Sequence, residues 1–390
     1  EETIDYVLRE MTDPAGGFYS AQDADSEGVE GKFFAWTTAQ LAEVLGAEEG
    51  ALMARVFGAT EQGNFEHTNV LHRPADLGEI AAEMGMEEAA LAARVDQARR
   101  VLFAAREQRV KPNRDDKVLA AWNGLMLRSL AEAAAVLERE DYARAAVANA
   151  AFLLRELRDG DKVLRTWKGG RAKLDGYLED YALLADGLLA VSSLTFEPRW
   201  LREAIGVTAS MVHRFWESDP GAFYDTATDA ERLIVRPRDF TDNAVPAGNS
   251  VATGVLLKVA ALTEDAEDHR RAEIVLAGHR DAMVRYPNAF GELLGALDLY
   301  LGPVTEIAIV GERTATDTRA LLREAYARFR PVSLVIGRSP EDTESAGFTP
   351  LFEERGQRDG KATAYVCVGH TCGAPATEPE QIRGQLDATR

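Results

Sequence analysis

Carboxylates beside aromatic rings and amides recur at three places in this sequence. Arg114-Asp-Asp-Lys117 runs into Trp122-Asn123, Leu174-Asp-Gly-Tyr-Leu-Glu-Asp-Tyr181 forms the second cluster, and Arg236-Pro-Arg-Asp-Phe-Thr-Asp-Asn-Ala-Val-Pro-Ala-Gly-Asn-Ser250 the third. Paired Asp or Glu residues divide the roles of acid and base, or of acid and nucleophile, when a glycosidic bond breaks. Aromatic faces stack on the apolar faces of pyranosides. On this chemistry Asp116, Asp180 and Asp242 are candidate catalytic carboxylates, Trp122, Tyr177 and Tyr181 candidate sugar platforms, and Asn123 and Asn249 candidate polar positioners. The acids have a second reading, because a carboxylate in the first turn of a helix caps free N–H groups and complements the helix dipole. Asn123, with Leu119 and Leu127 at i−4 and i+4, either contacts a ligand or braces one helix against another, since a buried amide needs partners.

The remaining clusters are weaker. Tyr19-Ser-Ala-Gln-Asp-Ala-Asp-Ser-Glu-Gly28 alternates acids at Asp23, Asp25 and Glu27 but lacks the Gly and the distal Glu of a calcium loop. It reads as a structured loop facing the pocket, with Asp23 and Asp25 as substrate contacts. Cys367-Val-Gly-His-Thr-Cys372 offers two thiols and His370, yet its spacing is neither that of a redox C-x-x-C nor that of a zinc site, and there is no second Cys pair. Its cysteines read as structural or incidental. No H-E-x-x-H, G-x-S-x-G or P-loop occurs, and Gly311 stands alone after its strand where a dinucleotide site needs several glycines. No metal and no cofactor is expected.

The elements that must hold these residues are mostly helical. Asp116 is a candidate N-cap for a helix whose stripe is Leu119, Trp122, Met126, Leu130 and Ala133, and Tyr142–Leu157 reads as its antiparallel partner. Tyr177–Val191, with Tyr177, Tyr181, Leu184 and Leu188 on one stripe, pairs with Trp200–Phe215, and Asn249–Leu262 pairs with His269–Tyr286 behind Pro246. Further helices are expected at Thr38–Phe57, at Glu87–Gln108 and after Asn288. The near-copies Asp13-Pro-Ala-Gly-Gly-Phe-Tyr-Ser and Asp219-Pro-Gly-Ala-Phe-Tyr-Asp each read as a turn followed by a short aromatic strand. Repeated hairpins bury their faces by stacking, and a toroid closes the stack. After Pro303 the texture changes to strand, helix, strand and strand, at Glu306–Gly311, Asp317–Phe329, Val332–Gly337 and Ala362–Val368. The expected fold class is mainly α, an incomplete (α/α)6-type toroid over 1–302 followed by a small α/β module over 303–390.

Composition bounds the partners. Within 390 residues, 44 Lys and Arg against 64 Asp and Glu give a formal charge of −20, a field that repels phosphate backbones and anionic membrane surfaces. Nucleic acid and membrane are therefore not expected as partners, and a small-molecule or carbohydrate ligand is. No apolar run approaches the roughly 20 residues of a membrane span. Only 2 cysteines occur, no disulfide framework, which suits a reducing, cytoplasmic setting.

Six stretches in order carry a resemblance. They are Gly16-Gly-Phe-Tyr-Ser-Ala-Gln-Asp-Ala-Asp-Ser-Glu-Gly, Glu30-Gly-Lys-Phe-Phe-Ala-Trp36, Asp115-Asp-Lys-Val-Leu-Ala-Ala-Trp-Asn-Gly-Leu125, Leu178-Glu-Asp-Tyr-Ala182, Val245-Pro-Ala-Gly-Asn-Ser-Val251 and Tyr365-Val-Cys-Val-Gly-His-Thr-Cys-Gly-Ala-Pro375. Together they resemble the thioredoxin-domain-containing family of YyaL and spermatogenesis-associated protein 20. The resemblance implies an N-terminal thioredoxin-like domain, a toroid similar to six-hairpin glycosidases and acylglucosamine 2-epimerases, and a small C-terminal module. This chain lacks the thioredoxin-like domain and the first hairpins, so it reads as the C-terminal portion of a longer protein. Cys367 and Cys372 match the family's C-terminal C-x4-C-x-x-P pattern rather than its thioredoxin motif. Epimerases of that fold class use histidines as acid and base, and none stands at the three helix entrances here. The function expected is carbohydrate handling by a glycosidase-like hydrolase. The rival is a non-catalytic scaffold, or a redox-associated protein, whose thioredoxin-like domain lies outside this chain.

Overall fold

A computed structural model describes residues 1–219, 221–231, 234–369 and 371–389, so Pro220 of the second turn motif and His370 lie outside the described residues. Two compact units emerge, one of residues 1–20 with 116–390 and one of residues 21–115. The expected boundary at 302/303 lies inside the first of these.

The chain enters through α1 (Glu2–Glu10) and β1 (Tyr19–Gln22). The unit of residues 21–115 then holds the ribbon β2 (Asp25–Ser26) and β3 (Val29–Glu30), followed by α2 (Thr38–Leu45), α3 (Ala47–Val56), α4 (Leu77–Glu83) and α5 (Glu88–Arg106). The single helix expected over Thr38–Phe57 is two helices, because Gly46 takes φ +87° between them, a conformation that favours glycine. Leu41, Met53, Val56, Leu91 and Leu102 build this unit's own core.

The larger unit is a row of helical hairpins. After β4 (Arg114–Leu119) come α6 (Ala120–Leu137) and α7 (Glu140–Glu156). Next are β5 (Arg158–Asp159), β6 (Lys162–Lys168) and β7 (Arg171–Asp175), then α8 (Leu178–Thr195) and α9 (Pro198–Phe215). The short strands β8 (Trp216–Glu217) and β9 (Ala222–Phe223) precede α10 (Gly248–Thr263), α11 (Ala266–Arg285) and α12 (Gly291–Leu301). Short connections make α6–α7, α8–α9 and α10–α11 antiparallel hairpins, and contacts between the starts of α6, α8, α10 and α12 set these four running the same way. Each packs on the next in that series, while α7, α9 and α11 back them from outside. This is an incomplete (α/α) toroid, mainly α as its periodicity implies. The inner helix α8 is buried on all sides, whereas outer helices such as α9 bury one stripe, here Trp200, Leu201, Ala204, Val207, Met211 and Phe215.

Two expectations about α6 need correction. The residues 116–119 are strand rather than first helical turn, because Val118 and Leu119 pair with Trp167 and Thr166 of β6. The buried face is Ala120, Ala121, Asn123, Gly124, Leu127, Leu130, Ala131 and Ala134; of the expected stripe only Leu130 is fully buried, and Trp122 is 44% exposed. Small residues set that choice. A Cβ on Gly124 would stand 2.5 Å from the Leu183 carbonyl carbon, and one on Gly187 would stand 2.9 Å from the Gly124 oxygen, so α6 and α8 meet backbone to backbone.

The C-terminal segment contains β10 (Thr305–Val310), α13 (Thr316–Tyr326), β11 (Ser333–Arg338), β12 (Thr363–Val368), β13 (Thr371–Cys372) and α14 (Pro379–Ala388). The sheet order is β11-β10-β12-β13, with β11 parallel to β10 through the α13 crossover and the other pairs antiparallel. Strand alternation divides its two faces. Ile307, Ile309, Ala364 and Val366 pack in a cluster with Leu321 of α13 and Ile382 of α14, whereas Ala308, Val310, Tyr365 and Cys367 join the core of the helical hairpins. One sheet face is thus part of the hairpin core, and this puts 303–390 in the same compact unit as the helices. Cys367 and Cys372, read from the sequence as structural or incidental, stand opposite each other on β12 and β13 and form a disulfide.

The backbone contact of α6 and α8 yields a matched test. Gly124→Ala lowers the unfolding free energy by roughly 1–3 kcal/mol, since the added methyl overlaps backbone that cannot swing away. Gly278→Ala, on the exposed side of α11 with open space around it, raises it by up to about 1 kcal/mol. Urea titration of both variants measures the contrast, and equal effects would refute the close approach.

Candidate functional site

The carboxylates expected to act on substrate gather at the end of the hairpin row where the inner helices begin, and two of them hold backbone there. Asp180 is fully buried. Its Oδ1 accepts from the Ala121 N–H at the start of α6 (3.0 Å), and its Oδ2 accepts from the Tyr177 N–H (2.8 Å) and from Arg165 (3.0 Å). Burial pushes this carboxyl up to about 6, against the opposing pull of Arg165 and of the backbone N–H groups. Asp242 accepts from the Ala247 N–H (3.0 Å), which leads into α10, and from the Glu292 N–H (2.7 Å) in the first turn of α12. Each acid joins neighbouring helix starts whose N–H groups have no intrahelical partner. Asp116 lies half-buried in β4, ahead of α6 rather than in its first turn.

Around these braces lies a more open set of groups. Trp122 and Tyr177 are 44% and 45% exposed, although residues on either side of each are buried or half-buried. Arg165 of β6 pairs with Glu179 (2.9 Å) and sits over the Tyr177 ring, 4.5 Å from its centroid. The β6–β7 hairpin that delivers Arg165 turns at Gly169 and Gly170, both at positive φ as such two-residue turns require. Asp225 is tied to the same place: its backbone oxygen accepts from the Leu178 N–H (3.0 Å), and its carboxylate accepts from the Asp239 N–H (3.0 Å) and, more distantly, from Asn249 Nδ2 (3.4 Å). Burial raises the Asp225 carboxyl above its ordinary value, and Asp239 and Glu179 raise it further, partly offset by the Asp239 N–H. Asn249 is buried, its Nδ2 donating to the Asp239 carbonyl (3.0 Å) while its Oδ1 has no hydrogen-bond partner.

Other expected site residues are placed elsewhere or are enclosed. Asn123 is buried and donates to the Phe18 and Leu119 carbonyls (both 2.9 Å), while its Oδ1 accepts from the Phe18 N–H (2.8 Å) and Asn149 (3.0 Å). It braces α6 against α7 and the Phe18 loop, and no part of the amide remains for a ligand. Tyr181 is buried too, its hydroxyl accepting from the Val163 N–H (2.9 Å) and its ring edge-on to Phe215, so it offers no platform. Asp23 and Asp25 are exposed in the unit of residues 21–115, the latter in the β2–β3 ribbon. Among the described residues no group of three or more His, Cys, Asp or Glu is placed to hold a metal ion, and no helix is long and apolar enough to cross a membrane.

One charged cluster escaped the sequence reading. Asp186 of α8 is buried between Lys258 of α10 (2.6 Å) and Arg128 of α6 (2.8 Å). Burial pushes its carboxyl up, but the two cations outweigh burial and hold it below the usual range. They line a cavity of about 410 Å³ whose other walls include Leu189, Leu262 and β11. Asp186 and Lys258 interrupt long apolar runs, Leu183-Leu-Ala-Asp-Gly-Leu-Leu and Val255-Leu-Leu-Lys-Val-Ala, and that interruption is the signal that marks them. Arg128 also pairs with Glu132 (2.8 Å), so the buried carboxylate is held by two cations that line the cavity.

The value at Asp180 is testable and its sign is defined. Because it lies above that of the unfolded chain, this carboxyl contributes most to stability below about pH 4, and its contribution declines as pH rises through about 6. A carboxyl-carbon NMR titration gives a midpoint near 6 for Asp180, and Arg165→Met moves it to higher pH by removing the cation that opposes burial. A midpoint near 4 would contradict the buried brace.

No protein-family model matches the chain. It is 31% identical over 423 residues to human spermatogenesis-associated protein 20, an alignment covering 98% of this chain and 53% of that protein. The rat protein of the same name matches at 31% identity with the same coverage, 98% and 53%. Among solved structures it is similar to the GH76 alpha-mannanase of Bacteroides thetaiotaomicron, at 16% identity and TM-score 0.36 over 45% of this chain and 46% of that one. A family 105 glycoside hydrolase of C. acetobutylicum matches at 10% identity and TM-score 0.36, over 71% and 70% of the two chains. The chain is a homologue of spermatogenesis-associated protein 20, and it spans about half the length of the curated relatives it matches.

Proposed function

We propose that the end of the toroid where α6, α8 and α10 begin binds a hydroxyl-rich ligand, a carbohydrate, and acts on it as a glycosidase-like hydrolase through Glu179 and Asp225. The observation that carries the reading is the pair of partly exposed aromatic side chains, Trp122 and Tyr177, the latter with Arg165 over one face, beside carboxylates at the same helix starts. A large aromatic face left in water beside a packed core is the surface a sugar ring covers. The carboxylates there differ in environment as an acid and its partner must. Asp225, pushed up by burial, is the group suited to donate a proton, and Glu179 lies against the Arg165 counter-charge. Asp180 and Asp242 position these groups by holding the helix ends.

A second reading, a non-catalytic scaffold, has its own support. Both oxygens of Asp180 and of Asp242 are engaged by backbone donors, the arrangement of acids that hold a fold. Ligand-observed NMR with a panel of mono- and oligosaccharides, followed by hydrolysis assays, separates the two. The hydrolase reading predicts binding that weakens on the order of tenfold in Trp122→Ala and Tyr177→Ala. It also predicts turnover that is lost in Glu179→Gln while binding remains. Binding without turnover selects the scaffold, and no binding by the wild-type chain sinks the carbohydrate reading.

A further inference from the structure

The geometry points to a second chemical site, remote in sequence from the first: the Cys367–Cys372 disulfide is a thiol–disulfide exchange centre in which Cys372 is the reacting sulfur and Cys367 the resolving one. Three features of the C-terminal sheet support this assignment. The first is asymmetric access. Cys367 is 1% exposed within the core face of β12, whereas Cys372 on the edge strand β13 is only partly buried. Exchange proceeds by in-line attack on a sulfur that a thiolate can reach, and only Cys372 is reachable.

The second feature is charge. Arg355 Nη2 lies 2.9 Å from the Cys372 sulfur, where its guanidinium favours a thiolate once the bond opens. Glu306 of β10 stands opposite Cys367 in the ladder, on the same side of the sheet, and disfavours a thiolate there. The hydroxyl of Tyr365, the other titratable group of that strand face, is occupied by the Gly356 carbonyl (2.7 Å). The two sulfurs are therefore electrostatically unequal in the sense exchange requires: a partly buried nucleophile beside a cation, and a fully buried partner beside an anion. The third feature is what the bond does not do. It closes a sequence separation of only 5 between residues the hairpin already sets opposite each other, and a short loop of that kind gains least from a crosslink.

The chemistry balances with a low-molecular-weight thiol as reductant. A thiolate RS⁻ attacks Cys372 Sγ, the Cys367–Cys372 bond breaks, and the electron pair leaves on Cys367 Sγ, which takes up a proton. A second thiolate attacks the R sulfur of the mixed disulfide, releasing RSSR and the Cys372 thiolate held by Arg355. Two thiols are oxidised and one protein disulfide is reduced to two thiols. In reverse, the Cys372 thiolate attacks a client disulfide and Cys367 resolves the mixed species.

The full chain is incubated, folded, in glutathione redox buffers, then quenched with iodoacetamide and mapped by mass spectrometry. The expected result is reduction without unfolding, alkylation of Cys372 at least tenfold faster than of Cys367, and a glutathione adduct on Cys372 in Cys367→Ser. In that background, thiolate absorbance gives the Cys372 titration midpoint, and adding Arg355→Gln moves it to higher pH by about one pH unit. A bond that yields to thiols only after denaturation, free cysteines in the air-oxidised protein, or a midpoint indifferent to Arg355 would overturn the assignment. The wild-type reduction needs no variant, so a folding defect in either substitution leaves the test intact.

Discussion

Helices set side by side in one direction bring their positive N-terminal ends together, with first-turn N–H groups that have no partner in their own helix. The toroid meets both demands with carboxylates shared between neighbours. Asp180 links the start of α6 to the start of α8, and Asp242 links the approach to α10 with the start of α12. Between these two joints, α8 and α10 approach so closely that a Cβ on Gly248 would lie 3.0 Å from the Glu179 nitrogen. Charge and backbone contact thus set the spacing of the helix starts together, while the apolar core, with Leu127, Leu184 and Leu256, fills the space behind them.

The candidate site follows from that arrangement. Once Asp180 and Asp242 are engaged with backbone, the groups left at the surface are the neighbours they position: Tyr177 through its own N–H, Trp122 beside Ala121, and Glu179 next in chain to Asp180. Arg165 connects the braced and open groups, since one guanidinium nitrogen meets both Glu179 and Asp180. A site built on helix ends held by buried charge is pre-organised, as a ligand site with few moving parts needs to be.

Hairpin periodicity was legible because the pairs α6–α7, α8–α9 and α10–α11 repeat every three to four residues over long runs. The stripe of α6 was misread because Trp122 and Met126 outweigh Ala120, Ala131 and Ala134 in hydrophobicity. The determining factor is steric: Gly124 and Gly187 admit a neighbouring backbone, which no apolar count registers. The β6–β7 hairpin had a signal in the β-prone residues Val163, Thr166 and Trp167 ahead of Gly169-Gly170, and with it Arg165 could have been found. Asp180 and Asp242 do meet helix starts while Asp116 lies in β4, but a sequence does not separate a carboxylate that faces ligand from one that faces a neighbouring helix's N–H. That distinction depends on burial. Asn123 shows the same limit, since its four hydrogen bonds reach Phe18, Leu119 and Asn149.

The shared-carboxylate account is tested most directly by native-state amide hydrogen exchange at Ala121 and Glu292. Both lie in first turns, where an ordinary helix leaves the N–H to solvent. If Asp180 and Asp242 hold these groups, both amides exchange as slowly as those in the middle of α8. Exchange at the rate of an open first turn would show that the helix starts are not joined by these acids, and would contradict the account.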